Sequence, residues 1–175
     1  KRMRLFKLFI TLVICQSYIS AQSLCSGSLG DNIFLDGDFG TGAATVVSIN
    51  PNIAPGYSYT TSLPSDGFYS LVKTTSVWGN LYSSWLQIND NSHNKDGYMM
   101  VVNASFNPGK FYEKVVDGLC GNTSYQFSAD IINVVKSNVS NHIDPDVAFL
   151  LDDKIIYTTG IIPKNETWIT YGFTF

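Results

Sequence analysis

Residues 97–131 read GYMMVVNASFNPGKFYEKVVDGLCGNTSYQFSADI. Tyr98 to Ala104 is an apolar, β-branched run, Phe111 to Val116 alternates around Tyr112, Lys114 and Val116, and Tyr125 to Ile131 alternates again. Asn107-Pro108-Gly109 and Gly121-Asn122 interrupt these runs with residues that turn a chain. The pattern predicts three successive strands. Between the second and third, Leu119 is a lone apolar residue in a polar turn, which predicts that it plugs the core while Tyr125 opens the next strand.

Working outward, Val147 to Leu151 and Ile155 to Thr158 read as two further strands around Asp152-Asp153-Lys154, and Trp168 to Phe175 as a last one. Upstream, Pro51, Pro55 and Gly56 make residues 42–57 mostly loop, with one short strand near Thr45 to Ile49. Ile88 to Gly97 and Lys136 to Asp144 are polar loops, and they carry both histidines, His93 and His142. Ser92 to Gly97 mimics a D-x-N-x-D-G calcium loop, but Ser92 replaces the first Asp and Asn103 stands where a bidentate Glu belongs. Both changes remove charge, so the segment reads as a turn. Asp152-Asp153 reads as a solvated turn, because paired catalytic carboxylates need a cleft with apolar walls and nothing nearby supplies one.

The chain opens KRMRLFKLFITLVICQSYISAQ, with a basic n-region (Lys1, Arg2, Arg4, Lys7), an apolar run from Leu8 to Cys15 and a small-residue site ending at Ala21. Residues 1–21 are therefore expected to be a secretory signal peptide, 22–31 a polar leader, and 32–175 one domain. The apolar run is too short to span a bilayer, so no membrane insertion is expected after cleavage. A lipoprotein site at Cys15 is the competing reading, although Ile14 stands where a small residue is needed. Beyond residue 21 there are seven Lys, no Arg and 14 Asp plus Glu, a formal charge of −7. So acidic a chain without a guanidinium is a poor partner for nucleic acid or anionic lipid. Aromatic residues at 14% argue for a packed chain, since that much ring surface has to be buried or used. Cys25 and Cys120 are an even pair in an exported chain, which predicts a disulfide contributing about 4 kcal/mol through the unfolded state. Two unpaired thiols are the alternative. Four sequons, at Asn103, Asn122, Asn138 and Asn165, fit N-x-S/T and are assigned no glycan.

The turn Gly118-Leu119 through Asn122-Thr123-Ser124-Tyr125, the opening Asn32 to Gly40 and the closing Trp168 to Phe175 resemble signatures of β-jelly-roll, carbohydrate-binding-like modules of the galactose-binding-like superfamily. The likeness extends to the amino-terminal module of secreted Bacteroidetes surface proteins associated with gliding motility and type IX secretion. That resemblance implies an all-β jelly-roll sandwich over residues 32–175 that stops before its closing strands. It implies secretion or display at the cell surface, a role in adhesion or polymer capture, and further domains downstream in the same chain as partners. In related modules the first strand contributes to a structural calcium site, which makes Asp36 and Asp38 the candidate ligands here. Gly40 stands where the family often has Glu, and a solvated turn is the competing reading.

Rings gather between Tyr57 and Trp85: Tyr57, Tyr59, Phe68, Tyr69, Trp78, Tyr82 and Trp85. Flat aromatic faces stack on pyranose rings while nearby amides bond the hydroxyls. The expected ligand-binding set is Tyr57, Trp78, Tyr82 and Trp85 as a stacking surface, with Asn80 and Asn103 as polar partners. Core filling is the competing account of the same rings. With no G-x-S-x-G, no H-E-x-x-H and no acid pair in a cleft, the sequence points away from catalysis. It points to a non-catalytic module that binds a glycan or surface polymer. The alternatives are a structural spacer and an accessory targeting domain of a secreted hydrolase.

Overall fold

The computed structural model describes residues 39–92 and 94–175. The expected signal peptide and leader, together with Cys25, Asp36, Asp38 and His93, lie outside the described residues.

Seven strands succeed one another: β1 (Ser58–Tyr59), β2 (Phe68–Val72), β3 (Met99–Asn103), β4 (Gln126–Ile131), β5 (Asp146–Leu151), β6 (Lys154–Ile161) and β7 (Ile169–Thr174). The one helical element among the described residues is a 3-10 turn at Thr75–Trp78, so the all-β expectation holds. The strands form three small sheets, in the orders β1-β2-β3, β4-β7 and β5-β6.

β2 is the centre of the first sheet. Its sequence, FYSLV, is a continuous run without polar alternation, and Tyr69, Ser70, Leu71 and Val72 are all at most 2% exposed. A strand covered on both faces has no reason to alternate. It pairs antiparallel with β3, Tyr69 opposite Val102 and Leu71 opposite Met100, and Val46 extends the ladder by a bridge to Val72. The strand expected near Thr45 to Ile49 is reduced to that bridge and its two backbone bonds, Val47 N–H donating to Leu71 O at 3.0 Å and Lys73 N–H donating to Thr45 O at 3.1 Å. The main core lies on this sheet: Val72, Met99 and Val101 pack with Trp85 and Val135.

β4 keeps the period of two that its sequence predicts, with Phe127, Ala129 and Ile131 turned inward. It pairs along its whole length with β7, and Tyr125 and Phe175 extend the ladder through two backbone bonds of 2.9 Å. Asp152 and Asp153 form the expected turn between β5 and β6, both left-handed at φ 48° and 60°, the geometry of a two-residue type I′ hairpin. Phe127 and Phe173 of the β4–β7 ribbon meet Phe149 and Tyr157 of that hairpin, with centroids 5.4 to 6.3 Å apart. These rings hold the two ribbons together.

Two expectations are corrected. Phe111 to Val116 forms no strand pairing among the described residues; Val115 is 79% exposed. The segment instead lies along the 53–56 loop, with Gly56 N–H on Lys110 O at 2.8 Å and Glu113 N–H on Ile53 O at 2.9 Å. Alternation makes one apolar face, but a strand also needs a neighbouring backbone in register. Leu119 is 38% exposed and plugs nothing. Its turn is fastened by the Cys120 N–H, which donates to the Tyr125 hydroxyl at 2.6 Å. Cys120 is disulfide-bonded, and its partner falls outside the described residues.

Candidate functional site

The segment that leads to the ring cluster is set by a cap. Thr74 is extended, at φ −153° and ψ 143°, and its hydroxyl accepts the Ser76 N–H at 3.2 Å, starting the 3-10 turn. Gly79, at φ 43°, ends the turn in a conformation that costs other residues energy. Thr75 is fully buried and fastens the chain beyond the turn: its hydroxyl donates to Leu86 O at 3.0 Å and accepts the Ile88 N–H at 2.9 Å. The chain between 79 and 86 is thereby held as a loop over the core. Opposite it runs the stretch after β4. Trp85 bridges Val135, Leu86 N–H donates to Val134 O at 2.7 Å, and Lys136 N–H donates to Ser84 O at 2.8 Å.

These two stretches enclose an open-sided depression of about 510 Å³. Asn80, Tyr82, Ser83, Trp85, Gln87 and Lys136 line it. Trp85 is 5% exposed and belongs to the core, so it serves as floor and not as a free stacking face. Tyr82 stands on it edge-to-face, 5.1 Å between centroids at 72°, and is 40% exposed. A ring in that position is rigid on one side and open on the other. The Tyr82 hydroxyl donates to Pro64 O at 3.4 Å, which fixes the tilt of the ring.

The structure therefore brings together three of the six expected ligand-binding residues: Asn80, Tyr82 and Trp85. Asn103 does not line the depression; it closes β3 and donates to the same Pro64 O at 3.0 Å, an anchoring bond. Trp78 is half-buried against the core and its indole N–H donates to Thr61 O at 3.2 Å. Tyr57 lies elsewhere, its ring pressed on the Gly109 backbone so closely that a Cβ there would come within 2.6 Å of it. Burial pushes the Tyr57 hydroxyl above its ordinary pKa. The stacking surface read from the sequence is thus reduced to one exposed ring.

Of the other lining residues, the polar Ser83, Gln87 and Lys136 were not foreseen. Lys136 is carried in from 53 residues away and donates to Ser83 O at 2.7 Å. A lone lysine in a polar loop gives no signal of that convergence. A second hollow, of about 400 Å³, is lined by Thr41, Ala44, Val46, Val47 and Tyr98 and holds none of the expected residues. Among the described residues there is no group of three or more His, Cys, Asp or Glu able to hold a metal ion, and no helix long and apolar enough to cross a membrane. Set beside known protein families, curated proteins and solved structures, the chain matches none of them.

Proposed function

We propose that this chain is a non-catalytic binding module of a secreted or cell-surface protein, holding a glycan or another surface polymer in the depression around Tyr82. The observation that carries the reading is the Tyr82 ring, 40% exposed and braced on a buried Trp85 beside the Asn80 and Gln87 amides. An open, rigid ring with amides at its edge suits a pyranose, whose apolar face stacks while its hydroxyls take hydrogen bonds. The disulfide at Cys120 supports an oxidising compartment. The jelly-roll arrangement, the likeness to gliding-motility and type IX secretion surface proteins, the calcium at Asp36 and Asp38 and the downstream domains belong to the same reading.

The experiment is retention of the purified protein on a panel of polysaccharides, read together with tryptophan fluorescence. Trp85 lies under Tyr82 and reports occupancy. Retention with a fluorescence change, lost in Tyr82→Ala while the circular dichroism is kept, is the expected result. No retention and no fluorescence change on any polysaccharide would sink the glycan reading. A structural spacer is the second reading. It is favoured by the burial of Trp85 and the hydrogen-bonded, half-buried Trp78, both of which serve the core.

A further inference from the structure

Among the described residues, Lys136 is the only charged one that lines the Tyr82 depression; no carboxylate lines it. This is unexpected on a chain with 14 acidic residues, where an average surface would present more acid than base. Three of the other lysines are spent on carboxylates: Lys73 on Asp96 at 2.9 Å, Lys110 on Glu113 at 2.6 Å, and Lys164 on Asp144 at 3.7 Å. Lys136 makes no such ion pair among the described residues. Its ammonium spends one donor on Ser83 O, and an ammonium has three. An acid that feels its charge is Glu166, whose carboxylate is bonded to Ser137 and does not line the depression. Glu166 Oε1 accepts both the Ser137 hydroxyl at 2.7 Å and the Ser137 N–H at 3.0 Å. Those bonds, and secondarily the Lys136 charge, hold its carboxyl below the ordinary value.

We propose that the ligand of this depression is an acidic glycan, one that stacks a sugar ring on Tyr82 and sets a uronic-acid carboxylate against the Lys136 ammonium. The inference rests on the glycan reading above and narrows it to a substrate class. The geometry supplies both contacts on one wall, since Lys136 is tied to Ser83, the neighbour of Tyr82. The net negative charge of the chain disfavours a polyanion in general, so the charge contact sets register on the polymer more than it adds raw affinity.

The test is calorimetric titration of the intact protein with oligogalacturonate and with alginate oligomers, each compared with the same oligomer after carboxyl reduction to neutral sugars. At least one acidic oligomer is expected to bind about tenfold tighter than its neutral counterpart, the scale of one charge-assisted hydrogen bond. That preference is expected to vanish in Lys136→Met, to persist in Lys136→Arg, and to shrink as salt is raised. Equal binding of acidic and neutral oligomers, or a preference that Lys136→Met leaves intact, overturns the proposal. Binding of neutral oligomers alone, abolished by Tyr82→Ala, overturns it while leaving the glycan reading standing. No binding by any oligomer of either kind overturns this proposal; the glycan reading falls only if the wider panel also fails.

Discussion

Replacing Asn133 should unfasten the ladder on which the depression stands. Asn133 is 3% exposed and uses its whole amide: Nδ2 donates to Asp144 Oδ1 at 3.0 Å and to Ile162 O at 3.1 Å, and Oδ1 accepts the Val135 N–H at 3.0 Å. Val135 and Ile162 are themselves 3% and 1% exposed, so water cannot replace the lost partner. In Asn133→Leu, two buried backbone groups are orphaned at about 1–3 kcal/mol each, and the bond to the Asp144 carboxylate is lost at about 1.5–3 kcal/mol. Burial of the Leu side chain returns about 2 kcal/mol. The expected net loss is about 3 kcal/mol, a large part of the stability of a domain this size. Guanidinium unfolding followed by tryptophan fluorescence should show the midpoint falling by about 1 M with the slope unchanged. A loss below about 1 kcal/mol would refute the accounting. Asn133→Asp separates the donors from the shape. A carboxylate facing Asp144 and a carbonyl is disfavoured, so its folded pKa rises above its unfolded one. The native state then binds the extra proton. The pH-dependent part of the destabilisation is absent below the unfolded pKa and grows as pH rises from there through the folded one. The neutral acid, with one O–H in place of two N–H donors, leaves one acceptor unbonded at every pH.

Ser70 is fully buried in β2 with no hydrogen-bond partner for its hydroxyl among the described residues, so Ser70→Ala should stabilise by about 1–2 kcal/mol. Thermal unfolding should move up by about 2–8 °C, and a lower midpoint would show that the hydroxyl has an unseen partner. Tyr57, Tyr59 and Tyr69 have hydroxyls pushed above the ordinary value by burial. Being more protonated when folded, they lend stability that is complete below the unfolded pKa near 10 and lost as pH rises through their folded values. A phenolate absorbance titration should show these hydroxyls lagging in the native protein and not in denaturant; a single phase would refute their burial. In the hairpin turn, Asp153→Gly removes the left-handed penalty at φ 60°. It should raise stability by about 0.5–1 kcal/mol, and a fall in the melting midpoint would mean that the exposed Lys110–Asp153 pair outweighs the backbone term.

Much of the fold was legible because β3, β4 and β7 and the β5–β6 hairpin are coded locally, by β-branched and aromatic runs between turn residues. β2 escaped for a physical reason. FYSLV is buried on both faces, so it lacks the alternation that marks a strand, and its two rings merged into the aromatic gathering between Tyr57 and Trp85. Phe111 to Val116 misled in the opposite way, offering alternation where no partner strand in register comes alongside among the described residues. The site was half legible. Asn80, Tyr82 and Trp85 are near neighbours in sequence, and composition singles them out. Gln87 has no distinguishing feature, and Lys136 arrives only through the pairing of residues 84–86 with 134–136.

That pairing also decides how the function can be dissected. Trp85 is both a core residue and the floor under Tyr82, so a Trp85 variant confounds loss of fold with loss of site. Truncating a buried Trp costs about 3–5 kcal/mol, enough to unfold a marginal domain. Tyr82 and Lys136 escape that ambiguity. Their ring and ammonium face the depression, and Lys136 enters the ladder through its backbone N–H, which any residue but proline supplies. If Tyr82→Ala and Lys136→Met leave stability intact and remove binding, the exposed ring and the lone cation are there for a ligand. If they leave both intact, the rings of this segment serve the core alone.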